Sequence, residues 1–93
     1  MYIVIKKFRS ESVEKSIEDA RTRFLPLVSQ MPGFISYNLV KSGDSTTVSI
    51  LSFNSKLEAA ASTTASTQWI KENNLGALYQ LEELITGEVV VKG

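Results

Sequence analysis

The sequence predicts an α+β domain of order β-α-β-β-α-β, the split βαβ arrangement. It pairs a four-stranded antiparallel sheet with two helices on one side. Three observations carry this. Short β-branched and aromatic runs recur near positions 2–8, 34–41, 46–53 and 86–92. Segments with helical spacing or a helix cap follow the first and third of them. A tight hairpin joins the second to the third. At 93 residues, 1–93 reads as one domain, too short for two independent cores.

Tyr2-Ile3-Val4-Ile5-Lys6-Lys7-Phe8 opens the chain as a strand, with Tyr2, Val4 and Phe8 on one face and Ile3 and Ile5 on the other. Both faces are apolar. Ser10 or Ser12 caps the helix that follows, whose Val13, Ile17, Ala20, Phe24 and Val28 form one stripe. Acidic residues come early in it and Arg21 and Arg23 follow, which suits the helix dipole. The spacing also pairs Arg23 with Asp19 on the helix surface. Pro26 lacks an N–H and crowds the carbonyl of Thr22, which predicts a kink or break.

Met31-Pro32-Gly33-Phe34 is a turn into the second strand, whose alternation sets Phe34, Ser36, Asn38 and Val40 against Ile35, Tyr37 and Leu39. Ser42-Gly43-Asp44-Ser45 connects it to the third, with Val48 and Ile50 opposite in direction to Leu51 and Phe53. Ser55-Lys56-Leu57-Glu58 is a capping box opening a helix to about Asn73. Its interior of alanine, serine and threonine allows close packing against the sheet or leaves room for a ligand. Asn73, Asn74 and Gly76 are its stop signals. Leu78 to Leu84 reads as a short helical turn, Tyr79 as a loop or interface residue, and Thr86 to Lys92 as the fourth strand.

Strands apolar on both faces need two covers, and the chain's own helices supply one. A second copy is the expected other, adding burial worth about 25 cal/mol per Å². A homodimer through sheet faces is therefore the first expectation about partners. Ten basic and ten acidic residues leave no formal net charge, which argues against general attraction to nucleic acid or acidic membranes. The absence of an apolar run long enough to span a bilayer, and of a signal-like start, makes the cytoplasm the expected location.

With no histidine and no cysteine, serine–histidine and cysteine–histidine catalysis, disulfides and zinc sites drop out. Adjacent Glu82 and Glu83 point apart and read as surface charge. The glycines stand alone and form no phosphate-binding loop. Tyr2, Tyr37, Trp69 and Tyr79 remain as amphipathic aromatics, suited either to a core or to an aromatic ligand.

Met31-Pro32-Gly33-Phe34-Ile35-Ser36-Tyr37, the Ser42-Gly43-Asp44 hairpin, Ser49-Ile50-Leu51-Ser52-Phe53 and then Trp69 resemble the antibiotic biosynthesis monooxygenase domain family. The resemblance covers nearly the whole chain. It implies a ferredoxin-like fold paired as a dimeric α/β barrel. It also implies a pocket for an aromatic, polyketide-like or otherwise apolar small molecule, and cofactor-free monooxygenation without metal, flavin or haem. Trp69 matches the family's second-helix tryptophan, and Tyr37 the aromatic after the Pro-Gly-Phe turn. Both become substrate-binding candidates, with Asn38 and Ser66 as polar contacts and no catalytic residue assigned. Catalytic members often carry asparagine or histidine about one turn before that tryptophan, where this chain has Ala65. That departure keeps a second expectation open, a non-catalytic ligand-binding or assembly domain of the same fold.

Overall fold

In a computed structural model that describes residues 1–76 and 79–93, strand β1 (Tyr2–Ser10) lies inside a sheet of order β2-β3-β1-β4. Its neighbours are β3 (Thr46–Phe53) and β4 (Tyr79–Glu88), both antiparallel, and β2 (Phe34–Lys41) completes the sheet beyond β3. This is the split βαβ arrangement that the element order predicts.

The first helical run starts where Ser12 accepts a hydrogen bond from the Lys15 N–H, capping α1 (Val13–Asp19). A π-helical segment (Ala20–Phe24) follows, then α2 (Leu25–Val28). The Leu25 N–H reaches back five residues to the Ala20 carbonyl. The disturbance expected from Pro26 thus takes the form of a widened turn just ahead of the proline, one of the recognised responses to a broken α ladder.

Helix α3 (Lys56–Glu72) begins at Ser55, whose hydroxyl accepts from the Glu58 N–H and donates to the Glu58 carboxylate. It ends in a Schellman motif. Asn74 takes a left-handed φ of 55°, its N–H bonds the Lys71 carbonyl, and the Leu75 N–H bonds that of Ile70. Leu75 is buried, the apolar contact that accompanies such a stop.

Two register shifts break the strict alternation. One lies between Phe34 and Ser36, where Phe34 pairs with Phe53 and Ser36 with Ser52. The extra residue, Ile35, turns Phe34 to the helix side together with Tyr37, correcting the face assignment made from alternation. The other lies opposite Lys7 and Phe8, where Glu82 is the extra residue on β4.

The fourth strand also departs from the sequence reading. It runs from Tyr79 to Glu88, so residues 79–84 are strand; Leu78 lies outside the described residues. Val89-Val90-Val91 fall beyond it. The reason is the partner: β1 begins at Tyr2, opposite Glu88, and past it, among the described residues, the ladder continues just to the Val89 N–H, which bonds the Met1 carbonyl. High β-propensity makes no strand where there is no ladder to join.

On the helix side Val4, Val28, Leu51, Phe53 and Ala59 form the core, with Tyr2, Phe24, Met31, Phe34 and Tyr37 packed around it. The outer sheet face carries the row Asn38, Ile50, Ile5 and Ile85, one residue from each strand. Ile85 is 51% exposed, so the apolar second face expected from the sequence is present and the chain leaves it largely uncovered. Among the described residues no helix is long and apolar enough to cross a membrane.

Gly33 holds φ +76° in the turn before β2, and a Cβ there would lie 2.2 Å from the Glu58 carboxylate. The side chain of Glu58 can move aside, but the backbone angle cannot be relieved. Gly33→Ala is expected to lower stability by about 1–3 kcal/mol in urea unfolding. An unchanged midpoint would show that the turn tolerates a side chain.

Candidate active site

The inner face of the central strand pair changes character along its length. On β1 the inward series is Tyr2, Val4, Lys6, Phe8, Ser10, and on β3 it is Phe53, Leu51, Ser49, Thr47. The Val4, Leu51 and Phe53 end meets α2 and the start of α3 as the core. At the other end Lys6, Ser49 and Thr47 form a polar floor that core packing leaves unfilled, and a pocket lies above it.

The pocket has a volume of about 70 Å³ and opens to solvent. Its floor is Lys6, Phe8, Leu39, Thr47 and Ser49, and its roof comes from α1, the π segment and α3. Phe24 is central to its aromatic wall: its ring lies 5.3 Å from that of Tyr37, edge-on, and 5.8 Å from that of Trp69. Such geometries suit the quadrupoles of the rings. The π segment ends at Phe24 and so sets where that ring enters the wall.

Lys6 is only 6% exposed, directly across from Ser49 on β3. Among the described residues it forms no ion pair, and burial pulls its ammonium down to about 8. Tyr37 is pushed up to about 12 by the same loss of hydration, so its phenol stays protonated. Tyr79 is raised further, first by burial and then by the hydrogen bond its hydroxyl donates to the Asp19 carboxylate. Ser16 closes this side, its hydroxyl donating to that of Ser10 at 2.8 Å.

Of the residues singled out from the sequence, Tyr37, Trp69 and Ser66 come together on the pocket wall. Ser66 is buried and its hydroxyl donates to the Ser62 carbonyl at 2.7 Å, leaving its lone pairs as acceptors. Asn38 does not join them. It sits on the outer face opposite Ile50, exposed, because it alternates with inward-facing Tyr37 and Leu39. Ala65 is not among the pocket-lining residues; α3 presents Ser66, Trp69 and Ile70 there.

The expected Asp19–Arg23 surface pair is not formed. Arg23 donates to the Asn73 side chain at 2.9 Å and lies 5.4 Å over the Trp69 ring, a cation–π contact holding the tryptophan from outside. Asp19 turns to Tyr79 instead.

Sequence reasoning missed Lys6 as a pocket residue, and read Tyr79, one of its four amphipathic aromatics, as a loop or interface residue although it lines the pocket from β4. Lys6 had a signal, since alternation places a lysine on the face of Val4 in a central strand. The inward direction of Tyr79 had none, because the bulge at Glu82 reverses the parity of β4 and brings Tyr79 opposite Ser10, on the pocket side. Among the described residues no three acidic side chains gather as a metal site.

No protein-family profile and no curated protein matches the chain. Solved structures do. The cofactor-independent oxygenase SnoaB from Streptomyces nogalater aligns over 98% of this chain and 94% of its own, with 15% identity and a TM-score of 0.77. A monooxygenase from the gene ActVA-Orf6 of Streptomyces coelicolor, in complex with nanaomycin D, aligns over 98% and 92%, with 16% identity and a TM-score of 0.69. A candidate antibiotic biosynthesis monooxygenase from Chloroflexus aurantiacus aligns over 99% and 95%, with 20% identity and a TM-score of 0.71. At these identities the likeness establishes the fold: the chain has the ferredoxin-like α+β fold of the antibiotic biosynthesis monooxygenases.

The buried lysine has a measurable signature. Below pH 8 the ammonium is charged in the folded and unfolded chain alike, and its burial weighs fully against the fold. From about 8 to 10.5 the folded chain releases the proton first, so stability rises, by up to about 3 kcal/mol. Above about 10 the tyrosines oppose this, since Tyr37 and Tyr79 stay protonated in the folded chain while unfolded tyrosines ionise. Urea unfolding between pH 7 and 10 is expected to show a rising limb in the wild type that Lys6→Met lacks. Parallel curves would mean that Lys6 is solvated.

Proposed function

We propose that this protein binds an aromatic, polyketide-like small molecule between its helices and sheet, and oxygenates it with molecular oxygen without a cofactor. The observation that supports this most directly is the open pocket, walled by Phe24, Tyr37 and Trp69 over a polar floor. A pocket filled by core side chains would have favoured a non-catalytic assembly domain; this one is empty of them. The solved structures sharing the fold include a cofactor-independent oxygenase and a monooxygenase holding nanaomycin D, which fits the same reading.

Trp69 offers an aromatic surface on the pocket wall, with Arg23 over its ring and Phe24 tilted against it. Tyr37, protonated at neutral pH, donates a hydrogen bond to a ligand oxygen. The part of the ring that enters the pocket leaves water, which sharpens both interactions there. A hydroxylated anthrone that loses a proton becomes an electron-rich carbanion. Electron transfer to oxygen, carbon–oxygen bond formation and loss of water then give the quinone: a CH₂ becomes C=O, and one oxygen atom leaves as water.

The outer sheet face belongs to a second copy in this reading. The row Ile50, Ile5 and Ile85 crosses three strands, and a like face laid against it would remove that apolar surface from water. Isologous pairing is the commonest way for a chain to cover itself.

Aerobic incubation with a hydroxylated anthrone is expected to yield the quinone faster than the uncatalysed background, and anaerobic incubation none. Identical outcomes with and without oxygen would eliminate the oxygenase. Trp69→Leu is expected to weaken anthrone binding roughly two- to tenfold, the loss of one aromatic contact. Light scattering should give twice the chain mass, and Ile50→Glu should give a monomer. A wild type that stays monomeric at high concentration would remove the sheet-to-sheet pairing.

A further inference from the structure

One charged group in the pocket has no ion-pair partner among the described residues. Lys6 rises from the floor 94% hidden from solvent, being 6% exposed, yet no described carboxylate comes within ion-pair distance. Asp19, the acidic side chain in the lining, is engaged by the Tyr79 hydroxyl. Arg23 lies outside against Trp69 and Asn73. An isolated ammonium in such a place costs stability, and an apolar residue of equal size would pack better. The space it faces is bordered by the neutral hydroxyls of Ser49, Thr47 and Tyr37, and the lining carboxylate, Asp19, accepts from Tyr79 and forms no ion pair with Lys6. The charge of Lys6 is left without an ionic partner among the described residues, and the open cavity beside it has room for an anionic acceptor.

The size of the cavity narrows what brings that acceptor. About 70 Å³ is less than the ~150 Å³ of a sealed cavity that encloses benzene. Only the open side allows even one ring to enter, and further rings would lie outside at the mouth.

We propose that Lys6 is the anion-recognition residue of this pocket, pairing with the ionised oxygen of an aromatic acid or phenol that places a single ring inside. The inference rests on the reading of the pocket as a ligand site and adds the charge of the ligand and the residue that reads it. Carboxylate and phenolate share the chemistry that Lys6 recognises: one negative oxygen, unhydrated, beside a planar ring. Pairing with it would hold Lys6 charged at pH values where the empty pocket lets it go neutral, so binding takes up a proton above about pH 8. Tyr37 and Tyr79, which also face the pocket, are shifted upward and away from that range, and Asp19 accepts the Tyr79 hydrogen bond.

Titration of the full chain with benzoate, its neutral counterpart benzamide, and 4-nitrophenol separates the possibilities. Benzoate is expected to bind at least about tenfold more tightly than benzamide at pH 7, the size of one charge-assisted hydrogen bond. Its affinity should fall by up to about tenfold per pH unit above 8, while that of benzamide stays flat. Bound 4-nitrophenol should show its yellow phenolate band at a lower pH than the free compound if phenolates are taken as well. Lys6→Met should bring benzoate and benzamide to within about twofold of each other. The wild-type pH profile tests the same point without any variant. Equal affinities for benzoate and benzamide, a flat benzoate profile, or no binding of either would overturn the assignment. Anion preference without oxygen uptake from a hydroxylated anthrone would leave Lys6 standing and remove the oxygenase. Anthrone turnover with no anion preference would do the reverse.

Discussion

The inner surface of two central strands has to serve two purposes, and the structure depends on how that surface is divided. Val4 faces Leu51 and Tyr2 faces Phe53, and at that end the strands are sealed by Val28, Ala59 and Phe34. Two residues further along the same face, Lys6 stands opposite Ser49. Close packing of apolar side chains over an unpaired ammonium and two hydroxyls would strand polar groups without hydration. The helices therefore seal one end of the sheet, and over the other they arch across a cavity that stays open to water. The pocket is thus a consequence of side-chain polarity on β1 and β3 as much as of helix placement.

The walls depend on two local irregularities, and a third shapes the core beside them. The π segment before Pro26 carries Phe24 into contact with both Tyr37 and Trp69. The extra residue Ile35 turns Phe34 inward to meet Phe53, 6.1 Å away and nearly perpendicular. The extra residue Glu82 turns Tyr79 toward Asp19. Each costs some regular hydrogen bonding, and each places an aromatic ring where uninterrupted geometry would not. Irregularities of these kinds cluster near functional sites, and here two aromatics that line one cavity, Phe24 and Tyr79, owe their positions to them.

Much of this was legible beforehand, for reasons that stay local. Ser12 and Ser55 cap helices because a short hydroxyl side chain reaches an orphan N–H within its own turn. Asn73-Asn74 stops α3 because asparagine tolerates a left-handed backbone. Tyr37, Ser66 and Trp69 lie together on the pocket wall, two of them on a helix whose face is set by 3.6-residue spacing. Asn38 went astray at a single step, since in a strand the residue beside a pocket-facing tyrosine faces the other way. Lys6 was readable in principle: its alternation with Val4 placed a charge in the interior, and only a cavity makes that tolerable.

The order and type of the elements, the two-sided apolar strands and the exclusion of imidazole and thiol chemistry were determined by the chain itself, because caps, periodicities and missing residue types act within a few residues. The ends of β4, the inward turn of Tyr79, the partnership of Asp19 with that tyrosine and the desertion of Arg23 to Trp69 were decided only by tertiary structure. Val89 to Val91 have every propensity for a strand, but β1 ends before reaching them. A ladder, a bulge or a buried ion depends on what stands across from it, and distances along the chain do not contain that information.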